Sequence, residues 1–268
     1  MLTAMFKHDF KRMARLLLPV QIAVVGGGIL AGLLVLLMSS ASGGASAVLS
    51  VLSAIVIFAI VAGVMACIVI TIIIIGRRFM DSLYGSEGYL TNTLPVSAYE
   101  NIGAKLISGS LWMMINAAAV ILAVLLFLLI GVMPLGLFDF NTYIDFSIVN
   151  TLVFNDSLLT VMLGIVNSLA GVIFSVSILL CAVVIGGTIG RRRKTGCAVG
   201  MYFAITFVYS IVRTLINAII NQQLTLNLDK FSAYFNVSTI ADIILALGLS
   251  AGMFFLSCSL LKNNLNLE

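Results

Sequence analysis

Few residues in this chain are of types that do chemistry. His8 is the one histidine among 268 residues, and it sits beside Lys7, Lys11, Arg12 and Arg15 near the N-terminus. A Ser/His pair would need His8 to reach a serine inside a long apolar run. No HExxH occurs, which excludes a zinc protease of that kind. Cys67, Cys181, Cys197 and Cys258 lie singly in or at the edge of apolar runs, with no CxxC pair, and read as small buried hydrophobes. No cluster of carboxylates in those runs offers a metal site. No GxxxxGK[ST] loop occurs either. The nearest stretch, residues 186–195 (GGTIGRRRKT), lacks the second glycine before its lysine and follows no strand. It reads as a helix end followed by a basic anchor. The chain is therefore expected not to be an enzyme and to bind no cofactor itself. If ATP is used, a separate subunit must bind it.

Two other groups of polar residues stand out. Arg213 and Asp242 are lone charges within the last two apolar runs. An unpaired arginine at membrane depth costs at least about 2 kcal/mol, so the two are expected to pair across neighbouring helices. The pair reads either as a structural tie or as part of a transport path. Asn116, Asn167 and Asn217 are single amides in three runs, each suited to bridging helices. The richest group is an island from Arg77 to Glu100, RRFMDSLYGSEGYLTNTLPVSAYE, set between two long apolar runs. It cannot sit in hydrocarbon and must emerge into water.

The elements that position these residues follow from composition. Hydrophobic residues make up 62% and charged residues 9% of the chain. Soluble domains carry about 25% charged residues, so this is read as an integral membrane protein. The apolar runs are near-continuous, and most exceed the roughly 20 residues a spanning helix needs. A membrane β-barrel would instead alternate with period two over about 10 residues. The fold class is all-α with six spans, near 16–38, 48–75, 106–132, 158–187, 197–220 and 240–261.

Basic residues orient the spans. Lys7, Lys11, Arg12 and Arg15 precede the first; Arg77, Arg78 and Lys105 separate the second and third; Arg191, Arg192, Arg193 and Lys194 separate the fourth and fifth; Lys262 follows the sixth. The opposite loops hold only Lys230. The positive-inside rule then makes both termini cytoplasmic. These cations are topology signals and lipid-headgroup contacts, not a nucleic-acid footprint. The net charge of +4 has the same source.

Residues 1–15 are not expected to be a cleaved signal. Met5, Phe6, Phe10, Met13 and Leu17 fall on one helical face, with Lys7, Asp9, Lys11, Arg12 and Arg15 on the rest. An amphipathic helix lying in the inner interface is expected, the alternative being a simple prolongation of the first span. Residues 16–268 form one six-helix domain, with 77–105 as its cytoplasmic segment and 133–157 and 221–238 as extracellular loops. Gly28/Gly32, Gly186/Gly190, Gly196/Gly200 and Gly248/Gly252 have the spacing that lets helices approach closely.

Within the island, Phe79, Leu83 and Tyr84 have the spacing of a short amphipathic helix. Gly85 and Gly88 break it, and Thr93-Leu94-Pro95 makes a second turn. Ser97 can cap the next helix, with Glu100 at the capping-box position.

This island resembles the inner loop after the second span of ABC-2 type permeases, specifically the small six-span permeases common in Gram-positive bacteria. Phe79, Leu83, Tyr84, Gly85, Glu87, Gly88, Tyr89, Leu90, Thr91, Thr93, Leu94, Pro95, Val96, Ser97 and Lys105 carry the match. Ser86 stands where an acid is frequent. The rest of the chain is similar only in architecture.

The resemblance implies the permease subunit of an ATP-driven exporter in the bacterial cytoplasmic membrane. Two permease subunits, alike or different, would sit on two ABC ATPase subunits that hold ATP and magnesium. The island would contain the coupling helix docking on the ATPase, through Arg78, Phe79, Asp81, Leu83, Tyr84, Gly85, Glu87, Gly88, Tyr89, Leu94 and Pro95. The Arg191–Lys194 loop would make a second contact. Relatives export drugs, antimicrobial peptides, lipids or polysaccharides. The alternatives are a non-exporting ABC membrane partner in antimicrobial-peptide sensing or immunity, and an ATPase-independent channel or scaffold.

Overall fold

The computed structural model describes residues 2–40, 46–85, 98–133, 158–190, 194–224 and 231–263. Among them the chain forms six long helices: α1 (Leu2–Ser40), α2 (Ser46–Tyr84), α3 (Ala98–Phe127), α4 (Leu158–Ile189), α5 (Lys194–Leu224) and α6 (Phe231–Asn263). A π-helical turn, Leu128–Val132, prolongs α3. Each of the six carries a segment of 27 to 34 residues long and apolar enough to cross a membrane. By length and composition this is a multi-pass membrane protein.

The helices outrun the expected spans. α1 and α2 each hold 39 residues. At 1.5 Å per residue that is about 58 Å, nearly twice the hydrocarbon thickness of a bilayer. The excess is the polar ends. Residues 2–15 are the first turns of α1 rather than a separate helix, and Pro19 lies inside α1. Likewise Phe79, Leu83 and Tyr84 are the last turns of α2, not a separate short helix. Between Ile75 and Tyr84 there is no proline and one glycine, Gly76, so no strong breaker stops the helix earlier. α3 begins at Ala98, one residue after Ser97.

The chain divides into two compact units. One comprises residues 11–74 and 112–150. In it α1 and α3 approach through glycines. A Cβ at Gly28 would lie 2.5 Å from the Ala123 carbonyl oxygen, and one at Gly131 would lie 3.0 Å from Gly32 Cα. The same unit ties α2 to α3 with a buried amide. Asn116 Oδ1 accepts from Cys67 Sγ at 3.1 Å and from Thr71 Oγ1 at 3.2 Å. The bridging expected of Asn116 is thus observed.

The other unit comprises residues 1–10, 75–111 and 151–268. Here α4 packs on α5 and α6. The core is Ala170, Phe174, Ile178 and Ala246, walled by Tyr202, Tyr209 and Ile243. The Phe174 and Tyr209 rings lie 4.3 Å apart, centroid to centroid. At the α4–α5 connection, a Cβ on Gly186 would run into the Ala198 backbone. By contrast, nothing lies within 4 Å of a Cβ added at Gly200, Gly248 or Gly252. Of the paired glycines, Gly28/Gly32 and Gly186/Gly190 make close approaches and these three do not.

Candidate functional site

The last turns of α2 and the first turns of α3 flank the polar island. On α2, Ile75, Arg78, Phe79, Ser82 and Leu83 recur at helical spacing and are all buried, while Arg77, Asp81 and Gly85 on the same turns are exposed. On α3, Asn101, Ile102, Lys105 and Ser108 form the matching buried stripe. Gly109 completes it. A Cβ there would lie 2.9 Å from both Phe79 Cζ and Val176 Cγ1, so α2, α3 and α4 meet at this level. Apolar burial brings these ends together, and it also places two cations, Arg78 and Lys105, out of water.

Those cations are met by an acid from α1. Arg78 Nη2 donates to Asp9 Oδ1 at 3.2 Å. Lys105 Nζ lies 3.5 Å from Asp9 Oδ2 and donates to Ser82 Oγ at 2.6 Å. The Lys105, Arg78 and Asp9 side chains are 2%, 6% and 9% exposed. Taking one such charge out of water costs several kcal/mol unless it is paired and hydrogen-bonded, so the three are buried as a set.

Asp9 was expected on the polar side of the N-terminal helix. The structure buries it instead, on a stripe with Met13, Leu17 and Gln21 at four-residue spacing, while Lys7, His8, Lys11, Arg12 and Arg15 are exposed. Phe6 and Phe10 are half-buried and stack on each other at 5.6 Å. The one signal for Asp9 was its register with Met13 and Leu17.

Tyr84 makes a second tie. Its hydroxyl donates to the Val184 carbonyl of α4 at 2.9 Å. Its ring lies directly on Gly187, where a Cβ would occupy the same space. Lys194 Nζ, at the start of α5, sits 5.5 Å from the ring centroid, a cation–π distance. The end of α2 is thereby joined to the α4–α5 connection. Gly85 follows, its N–H bonded to the Asp81 carbonyl at 3.0 Å. A Cβ at Gly85 would lie 2.5 Å from that same oxygen, so the helix ends on the one residue that fits.

Of the residues expected to couple, Arg78, Phe79 and Leu83 are buried, Tyr84 is half-buried, and Asp81 and Gly85 are exposed. Glu87, Gly88, Tyr89, Leu94 and Pro95 lie outside the described residues, as do Arg191, Arg192 and Arg193. No protein-family model, curated protein or solved structure matches this chain.

Arg213 and Asp242 meet between α5 and α6. Arg213 Nε donates to Asp242 Oδ1 at 3.1 Å and Nη2 to Oδ2 at 2.8 Å, a bidentate fork. The Arg213 side chain is 48% exposed and that of Asp242 14%. Asp242 thus sits against protein while Arg213 keeps one side open. Among the described residues, no group of three or more His, Cys, Asp or Glu is placed to hold a metal ion.

Proposed function

We propose that this chain is the transmembrane permease subunit of an ATP-driven exporter, with the polar segment between α2 and α3 docking on a separate ABC ATPase. Both termini and the α4–α5 connection then lie on the cytoplasmic side, with the basic residues. Two permease subunits and two ATPases complete the transporter.

The observation that carries this reading is the way the ends of the polar segment are fastened. A slack linker needs no buried contacts at its roots. Here Lys105 is bonded to Ser82 across α2 and α3, and Tyr84 is bonded to α4 and stacked near Lys194. A push on residues 86–97 would enter α2 and α3 together. Through Tyr84 it would also reach α4 and α5, whose core with α6 moves as packed helices do, in rigid-body fashion. This suits a segment that transmits the closing and separation of ATPase subunits to the membrane helices.

The test is purification of the tagged chain in detergent from its native membrane, wild type and Glu87→Lys, with co-purifying ABC ATPases identified by mass spectrometry. Stable association with the wild type, lost in the variant while membrane insertion is normal, is the expected result. Failure of the wild type to associate with any ATPase would remove this reading and favour a channel or scaffold.

A further inference from the structure

Asp9 is an acid buried on a stretch of helix whose exposed residues are basic, and its two oxygens serve two different helices. Oδ1 takes Arg78 of α2 and Oδ2 takes Lys105 of α3. Lys105 closes the triangle through Ser82 of α2. We propose that Asp9 is a positioning residue: from the first turns of α1 its carboxylate sets the register of α2 against α3 at the roots of segment 86–97. Its consequence for ATPase docking rests on the function proposed above.

The physical argument starts from what apolar packing leaves open. Phe79, Leu83 and Ile102 are each 2% exposed or less, so burial holds the two ends together. Apolar contact is non-directional and fixes a register only through steric fit, such as Phe79 against Gly109. A carboxylate shared between a guanidinium on one helix and an ammonium on the other does not tolerate sliding along the helix axes, because each helix must present its cation to a fixed oxygen. Moving either helix by one turn would pull its cation off that oxygen. The acid comes from α1, so this register depends on residues far from the segment in the chain.

The test measures how firmly the root is closed, without using an ATPase. Leu83, buried and outside the polar cluster, is changed to cysteine in a Cys197→Ser background; the other native cysteines are buried. The purified protein is reconstituted in vesicles of phosphatidylcholine with phosphatidylglycerol and treated with a water-soluble maleimide. Leu83→Cys alone should react slowly. Adding Asp9→Asn should speed the reaction at least about tenfold, since loss of one member of a buried charge set opens the site locally. Adding Asp9→Glu, which restores the charge, should return the rate most of the way.

An unchanged rate with Asp9→Asn would overturn the inference, and so would a rate with Asp9→Glu as fast as with Asp9→Asn. A parallel binding measurement with the ATPase recovered with the wild type, made on Asp9→Asn in the native cysteine background, should show affinity at least about tenfold weaker. Full affinity despite faster labelling would overturn the docking consequence. If the wild type itself binds no ATPase, the proposed function fails, and the labelling rates alone still decide the role of Asp9.

Discussion

Gly187→Ala should destabilise this protein, although the same change at two other helical glycines should not. Alanine in a helix interior is favoured over glycine by roughly 0.5–1 kcal/mol. At Gly171 in α4 and Gly200 in α5 nothing lies within 4 Å of the added methyl, so that gain should be realised. At Gly187 the methyl would fall on the Cε2, Cζ and Cδ2 atoms of the Tyr84 ring. Forcing an extra carbon into a filled site costs about 1–3 kcal/mol. If the ring leaves instead, its hydroxyl loses the 2.9 Å bond to the Val184 carbonyl, worth about 0.5–1.5 kcal/mol. The contact with Lys194 at 5.5 Å goes with it, a further 0.5–1 kcal/mol or so. The propensity gain is common to all three, so Gly187→Ala should fall below the two controls by about 1–3 kcal/mol. Unfolding by SDS titration in mixed micelles, followed by circular dichroism, measures the difference. Tyr84→Ala lowers stability by itself, but in that background Gly187→Ala should cost nothing further. A Gly187→Ala midpoint level with those of Gly171→Ala and Gly200→Ala would show that the ring does not rest on α4.

The remaining predictions use the same titration. Arg213→Ala and Asp242→Ala should each lower stability, with clearly non-additive losses in the double-mutant cycle, since either single change leaves a lone charge within a spanning helix. Selective loss of transport in a variant of normal stability would instead favour a place on the transport path. Asn116→Leu should cost roughly 0.6–1.7 kcal/mol, the range for hydrogen bonds between membrane helices. Thr71→Val should cost less in that background than in the wild type, where it also removes the bond to Asn116, the 2.8 Å bond to the Cys67 carbonyl being lost in both; equal losses in the two backgrounds would contradict the bridge.

The six helices were legible because their apolar runs are nearly unbroken, and hydrocarbon admits few other backbone forms. Their true ends were less so. Hydropathy marks where a span leaves lipid, not where a helix stops, and α2 carries its helix nine residues past Ile75 to Tyr84. The Arg213–Asp242 pair could be foreseen because each is a lone charge in an apolar run at similar depth. Asp9 could not. An acid among lysines and arginines reads as a solvated residue, and its partners Arg78 and Lys105 lie 69 and 96 positions away. Tyr84 was singled out from its motif, but its contacts with Val184, Gly187 and Lys194 depend on how α4 and α5 return to the end of α2.

The two ties at the root of the polar segment differ in kind, and the difference bears on how force would pass through them. The Asp9, Arg78 and Lys105 set is ionic and buried, so separating its members exposes charge to a poor solvent and is steeply opposed. It makes the ends of α2 and α3 behave as one body. Tyr84 uses one hydroxyl bond and a ring on a bare glycine, which can slide or lift at a cost of only a few kcal/mol. A rigid ionic tie within the α2–α3 root and a weaker polar one to α4, beside the apolar contact of Gly109 with Val176, would suit a lever on the function proposed above. On that function, the root would move as a unit and its hold on the end of α4 and the start of α5 would be remade at each stroke.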